Sequence, residues 1–164
     1  MPDEPAATHE PMPAEPLDRV RLVLERIVGE LGLDAEVSVE EDDEEIRASV
    51  EGEEVGLLIG RRGQTIDAVQ LLCYQAAFRG RPERKRVSVD ASGYRDRRSE
   101  ALERRADMAA EQASREGRAV ELEPMSSGER RVVHEHLRER PGLDTYSEGD
   151  EPNRFVVIAP LLTD

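Results

Sequence analysis

The sequence predicts an α+β chain of two small modules in series, αββααβ and then αβαββ, joined by a long shared helix. Three observations carry that expectation. Apolar residues recur at helical spacing in five segments and alternate with polar residues in the intervening ones. Glycine and proline clusters separate those segments at short intervals. Charged residues make up 37% of the 164 positions and aromatics only 3%, so each core must be small and built mostly from Val, Ile, Leu and Ala.

Residues 1–16, MPDEPAATHEPMPAEP, hold five of the ten prolines and four acids but no base. This is the composition of a disordered acidic tail, with His9 incidental. Leu17, Val20, Leu24, Ile27, Val28 and Leu31 then share a helical face, and Gly32 stops the helix. Ala35, Val37 and Val39 alternate with polar residues, as do Ile46, Ala48 and Val50. The pattern predicts two antiparallel strands joined by an acidic tip. Six consecutive acids, Glu40 to Glu45, also raise a metal-binding loop. Calcium loops need spaced ligands and a central glycine, which this run lacks, so a solvated hairpin tip is expected.

Val55, Leu57, Leu58 and Ile59 form a short apolar helical turn, and Gly60–Gly63 breaks it. Ile66, Val69, Leu72, Cys73, Ala76 and Ala77 line one face of the next helix, and Val87 and Val89 point inward from a third strand. Tyr94–Glu116 is a long polar helix with a thin apolar stripe of Ala101, Leu102, Met108, Ala109 and Ala113. A short strand, AVEL, precedes Ser126, which has Glu129 three residues on, the spacing of a capping box. The helix RRVVHEHLRE stops at Pro141-Gly142, and the strands LDTYS and RFVVIAP close the chain around the turn EGDEPN. The expected division is a tail at 1–16, a first module at 17–92, a second at 93–160 and a short tail at 161–164.

Composition also excludes classes of function. No apolar run approaches the ~20 residues that span a bilayer, and no basic-then-apolar leader opens the chain. The lone Cys73 rules out an intramolecular disulfide and any multi-cysteine zinc site, and its place on an apolar face suits a core residue better than a nucleophile. A cytoplasmic chain without membrane insertion, metal or cofactor is expected.

The formal net charge is −14, yet Arg61 to Arg98 holds ten bases and four acids. Of the 23 basic side chains, 22 are arginine, with Lys85 the exception. Arginine carries a planar fork of donors suited to phosphate, although a composition bias accounts equally well for the arginines outside that window. The window begins at Gly60-Arg61-Arg62-Gly63. Glycines there let another backbone come close, the following helix offers free N–H groups and a dipole that favour an anion, and two arginines add phosphate hydrogen bonds. The plain alternative is a helix–turn–helix connector, because a bare GxxG is common. The glycines at 56, 60 and 63 do not have dinucleotide-fingerprint spacing.

In the second module Arg130 and His134 stand four apart and share a helix face, with Arg138 continuing the stripe and Val133 and Leu137 on the neighbouring buried face. No serine or cysteine nucleophile accompanies His134. His136 lies two residues away on a different face, so the pair is not a zinc pair of the i, i+4 kind. The plain alternative is a solvated helix face with His134 in a local structural hydrogen bond.

The order from Leu17 to Asp90 is that of a type II KH domain, and GLLIGRRGQTIDAVQLL closely resembles the KH segment of the bacterial Jag family, also called KhpB or SpoIIIJ-associated proteins. KH domains clamp about four nucleotides of single strand with the GxxG loop. GERRVVH and TYSEGDEPNRFVVIAP resemble the R-three-H domain that follows KH in that family. The resemblance implies backbone contact by Gly60, Arg61, Arg62 and Gly63, with Ile59 and Gln64 beside them. Ile59 and Ile66 would form an apolar base groove, and Arg95, Arg97 and Arg98 would extend the cationic surface. Arg130 and His134 would be the motif pair of the second module, with Arg154 on the same surface.

The resemblance further implies single-stranded RNA as ligand, with single-stranded DNA left open. It implies a post-transcriptional or RNA-chaperone role tied to envelope growth and division, and a small KH-only partner protein. Two departures stand out. Many relatives carry a separate N-terminal domain and long linker where this chain has its acidic tail. Many also read Asn-Pro-Tyr where this chain has Ser126-Ser127-Gly128, which removes an aromatic able to stack on a base. Five bases against ten acids from Ala119 to Asp164 predict weak affinity for nucleic acid in the second module. The competing expectation is a scaffold in which KH is a dimerisation surface. A nuclease is a third, with His134 as its only candidate.

Overall fold

The computed structural model describes residues 11–161. The chain divides into two compact units after Ser92. The first contains α1 (Pro16–Glu30), β1 (Ala35–Glu41), β2 (Glu45–Gly52), α2 (Gly56–Ile59), a single 3-10 turn at Arg61–Gly63, α3 (Gln64–Phe78) and β3 (Arg86–Ala91). The second contains α4 (Tyr94–Glu116), β4 (Val120–Glu121), α5 (Ser127–Leu137), β5 (Leu143–Glu148) and β6 (Phe155–Pro160). No helix among the described residues is long and apolar enough to cross a membrane.

In the first unit β2 is central, antiparallel to β1 and parallel to β3. Alternation along β2 sends Ile46, Ala48 and Val50 to one face, where Val87, Val89 and Ala91 of β3 join them. Helices α1 and α3 pack on each other and on this sheet. They bury Val20, Leu24 and Val28 from α1, and Ile66, Val69, Cys73, Ala77 and Phe78 from α3. Each large aliphatic side chain so enclosed contributes about 1.5–3 kcal/mol.

The acidic hairpin tip is held by its own carboxylate. Asp42 accepts from the Glu44 and Glu45 amides, each at 2.9 Å, and from Arg47 Nη1 at 2.6 Å. The Glu44 amide, then Arg47, then the Glu45 amide hold its carboxyl down to about 2. Lys85 reaches across to donate to Glu41 Oε1 at 2.7 Å and to the Asp42 carbonyl at 2.8 Å. No group of three or more His, Cys, Asp or Glu side chains among the described residues is placed to hold a metal.

In the second unit β6 is central, antiparallel to both β4 and β5. Helix α4 lies wholly within this unit and packs on α5, β4 and β6. Its buried face is Leu102, Ala106, Ala109, Ala110 and Ala113, set against Val133 and Leu137 of α5, Met125, and Val156 and Ile158 of β6. Small side chains on that face let the helix lie close, which is how a chain with few aromatics closes a core.

Several expectations change. Met108 is 70% exposed, and Ala106 and Ala110 take its place in the stripe. Ile66, Val69, Cys73 and Ala77 lie inward on α3 as their spacing predicts, but Leu72 is 56% exposed and Phe78 is buried instead. The tail read as 1–16 is ordered before it ends. Pro16 is buried in the first turn of α1, Arg19 Nε donates to the Pro13 carbonyl at 2.7 Å, and Arg81 donates to the Ala14 carbonyl. Residues 1–10 of that tail lie outside the described residues. At the other end Leu161 donates its N–H to the Gly142 carbonyl at 2.9 Å, and 162–164 lie outside the described residues.

The capping box at α5 forms as the spacing predicts. Ser126 Oγ accepts from the Glu129 amide and the Ser126 amide donates to Glu129 Oε2 at 2.9 Å. The other oxygen of Glu129 accepts from Arg98 Nε of α4 at 2.6 Å. Ser126→Ala should therefore cost about 1 kcal/mol. Glu129→Ala should cost roughly 2–3 kcal/mol, because it also strips a largely buried guanidinium of its carboxylate. Urea denaturation of the two variants measures both, and equal losses would contradict the double role of Glu129.

Candidate nucleic-acid interface

The GRRG turn owes its shape to its glycines. Gly60 adopts φ 72°, ψ −177°, a conformation that is essentially glycine's alone. A Cβ there would lie 2.0 Å from Thr65 Oγ1 and 3.0 Å from the Thr65 amide nitrogen. Arg62 sits in the left-handed region at φ 53°, ψ 30°, and Gly63 follows at φ 77° as the N-cap of α3. Gly63 has no side chain to cap with, so the first-turn amides of α3 receive no side-chain acceptor from the cap position. The dipole makes this end of α3 positive, and Asp67 is the acid of its first turn.

Arg61 and Gln64 are exposed, Arg62 and Ile59 are half-buried, and Gly63 is buried. Ile59 thus offers apolar surface next to the turn. Ile66 does not: it is 0% exposed and belongs to the core, because the first inward position of α3 points at the sheet. The base groove expected from Ile59 and Ile66 loses its second wall.

Not every cation of the basic window is open. Arg84 Nη1 donates to the Phe78 carbonyl at 2.8 Å and to the Arg81 carbonyl, closing the C-terminal end of α3, and its guanidinium lies 6.0 Å above the Phe78 ring. Lys85 is tied to the hairpin tip. Arg98 is tied to Glu129, with its Nη2 buried and lacking a hydrogen-bond partner among the described residues. Arg98 therefore braces α5 and adds no open cationic surface.

The second candidate group converges between α5, β5 and the β5–β6 turn. Arg130 is only 8% exposed; Nη1 donates to the Met125 carbonyl at 2.8 Å and Nη2 to Glu151 Oε1 at 2.6 Å. His134, one turn on, places Nδ1 2.8 Å from Thr145 Oγ1 and Nε2 2.9 Å from Ser147 Oγ. Burial, then the Arg130 charge, lowers the His134 pKa below 6.5, against a smaller opposing pull from Asp144. Arg154 extends Nη2 to the Ser147 carbonyl at 3.5 Å, while its Nε is buried with no hydrogen-bond partner among the described residues. His134, Leu137, Arg138, Leu143 and Tyr146 line an open groove of about 480 Å³ beside this group. Tyr146 is 45% exposed.

The structure thus brings Arg130, His134 and Arg154 together and keeps His136 apart, paired with Asp107 on α4 at 3.1 Å. Sequence reasoning missed Thr145, Ser147 and Glu151. The first two had a signal, since alternate hydroxyl residues on one strand face repeat the Leu143 position and turn toward the helix that carries His134. Cys73 is fully buried, and burial pushes its thiol up to about 12.

A GxxG turn between two helices on a three-stranded sheet, followed by an Arg-x-x-x-His helix on a second sheet, defines a chain of a KH domain and an R-three-H domain. The KH-domain model of KhpA and KhpB matches residues 18–90, and the R-three-H domain model matches 100–160. RNA-binding protein KhpB of Clostridium symbiosum is 36% identical over 144 residues, covering 87% of this chain and 65% of that protein. RNA-binding protein KhpB of Bacillus subtilis is 35% identical over 147 residues, covering 88% of this chain and 71% of that protein. For the KhpB of Streptococcus pneumoniae serotype 2 the figures are 30% over 139 residues, with 85% and 42% covered. The chain belongs to the KhpB family. It spans about two thirds of the first two relatives and under half of the third.

Two outcomes test this geometry. Gly60→Ala should destabilise the first unit by about 2 kcal/mol or more, since backbone strain and the Thr65 collision act together; unchanged unfolding in urea would contradict the described turn. The lowered His134 pKa means the folded state binds fewer protons than the unfolded one. Its stabilising contribution is therefore complete above pH 6.5 and lost as pH falls through the folded value. Imidazole titration by NMR should give a midpoint below 6.5 for His134, and one above it would reverse the sign.

Proposed function

We propose that this chain is a non-catalytic, cytoplasmic, single-stranded RNA-binding protein whose primary contact is the Gly60–Gly63 turn. The observation that supports it most is the exposed Arg61 on a glycine-shaped turn that opens α3 without a side-chain cap. A sugar–phosphate backbone laid across the turn meets amides, the positive helix end and guanidinium together, as in the KH clamp. Ile59 borders the place where the bases would lie. The names of the relatives point the same way. With three tyrosines and two phenylalanines in the whole chain, stacking readout is limited and sequence preference should be low. Single-stranded DNA is a second ligand to compare.

Against catalysis stand the buried Cys73 and a His134 flanked by hydroxyls that hold it in place. RNA cleavage that His134→Ala abolishes would overturn this part. The finer role, as RNA chaperone or post-transcriptional regulator of envelope growth and division, follows from family resemblance and is part of the proposal, as is a small KH-only partner. One observation favours a protein-docking role beside RNA binding: Leu57, Leu71 and Leu72 are 65%, 58% and 56% exposed on α2 and α3.

The clamp is tested with the full chain and a pool of single-stranded RNA over a salt series. Reversing both charges, Arg61→Asp with Arg62→Asp, should weaken binding by more than about tenfold. It should also flatten the log–log salt slope by about 1.4, two phosphate contacts at ~0.7 each. Unchanged affinity would sink the clamp.

A further inference from the structure

We propose that Glu151 is an intramolecular stand-in for a nucleic-acid phosphate, occupying Arg130 and setting the affinity of the second unit for RNA. This deepens the RNA-binding reading and rests on it. Four contacts link the group into one network. Arg130 Nη1 holds the Met125 carbonyl at 2.8 Å, and the Met125 amide donates to the Arg154 carbonyl at 3.1 Å. Arg154 Nη2 reaches the Ser147 carbonyl, and His134 Nε2 meets the Ser147 hydroxyl. The carboxylate that bonds into this network is Glu151, through Arg130 Nη2 at 2.6 Å.

Exposure indicates which partner faces the solvent. The Arg130 side chain is 10% exposed and that of Glu151 58%. The guanidinium is rooted in the unit, while the carboxylate covering it sits on the exposed turn between β5 and β6. Carboxylate and phosphate oxygens both accept a charge-assisted hydrogen bond from a guanidinium N–H, so the Nη2 donor now held by Glu151 suits a phosphate oxygen. One donor of the network, Arg154 Nε, is buried without a hydrogen-bond partner among the described residues. A phosphate has more acceptor oxygens to offer than the carboxylate it displaces.

Exchanging one anion for another on Arg130 gives little net gain. The pair therefore holds the unit's affinity down, and neutralising position 151 releases Arg130 for RNA.

The experiment uses the full chain carrying Arg61→Asp and Arg62→Asp, so that the turn of the first unit is silenced, and a short oligouridylate as probe. Glu151→Gln keeps an acceptor for Arg130 and removes the charge; Glu151→Ser serves if the glutamine variant melts early. Affinity should rise about three- to tenfold and the salt slope should steepen by ~0.7, one added phosphate contact on a single strand. Asp150→Asn removes the same charge one position away without freeing Arg130, and should change neither value appreciably. Adding Arg130→Gln to Glu151→Gln should abolish the gain. Unchanged affinity in Glu151→Gln, an equal gain in Asp150→Asn, or a gain that survives Arg130→Gln overturns the proposal. Binding by the unmutated chain with no gain in Glu151→Gln overturns the role of Glu151 alone; failure of the unmutated chain and of every variant to bind the probe at low salt overturns the RNA-binding reading and this proposal with it.

Discussion

An arginine guanidinium has a limited set of donors, and an anion of the fold competes for them with an anion of a ligand. With 23 basic and 37 acidic side chains, this competition governs both units. Arg84 is engaged by carbonyls at the end of α3, Arg98 by the carboxylate that also caps α5, and Arg47 by the hairpin tip. Arg61, by contrast, stands exposed on a turn. Which arginines hold the molecule together and which remain open to the outside follows from local geometry, and net charge alone is silent on it.

The second constraint is core size. Five aromatics in 164 residues leave aliphatic packing as the main source of stability. The first unit meets it by closing α1 and α3 over β2, the second by the alanine face of α4 against β6. Close helix approach replaces large side chains. The polar work is then done by short links such as the shared carboxylate of Glu129, and by His136 and Arg140 meeting on Asp107.

Much of this is legible in the sequence because periodicity reports burial. Val20, Leu24, Val28, Ile46, Ala48 and Val50 lie where their spacing puts them. The capping box is legible because its chemistry is local. Met108 and Leu72 escape sequence reasoning for a common reason: an apolar side chain near a helix stripe is inside or outside according to the neighbouring element, which spacing does not contain. Ile66 is buried where its spacing puts it, and only the groove role implied by the resemblance fails. The candidate site is legible in its glycines and in the Arg-x-x-x-His spacing. That Arg130 is already paired is not, since Glu151 lies twenty-one residues away on a turn and reaches it only through the β5–β6 hairpin. The windowed charge count also overstates the open cations, because it cannot tell Lys85 or Arg84 from Arg61.

The turn at Gly60 divides what is adjustable from what is not. Its backbone path is dictated by a residue that has no side chain and no room for one. The exposed tip residue Arg61 and its neighbour Gln64 face no such demand. Descent with variation can therefore retune the grip of this turn, stronger or weaker, salt-sensitive or not, by exchanging side chains at the tip. Its curvature would stay inherited unchanged.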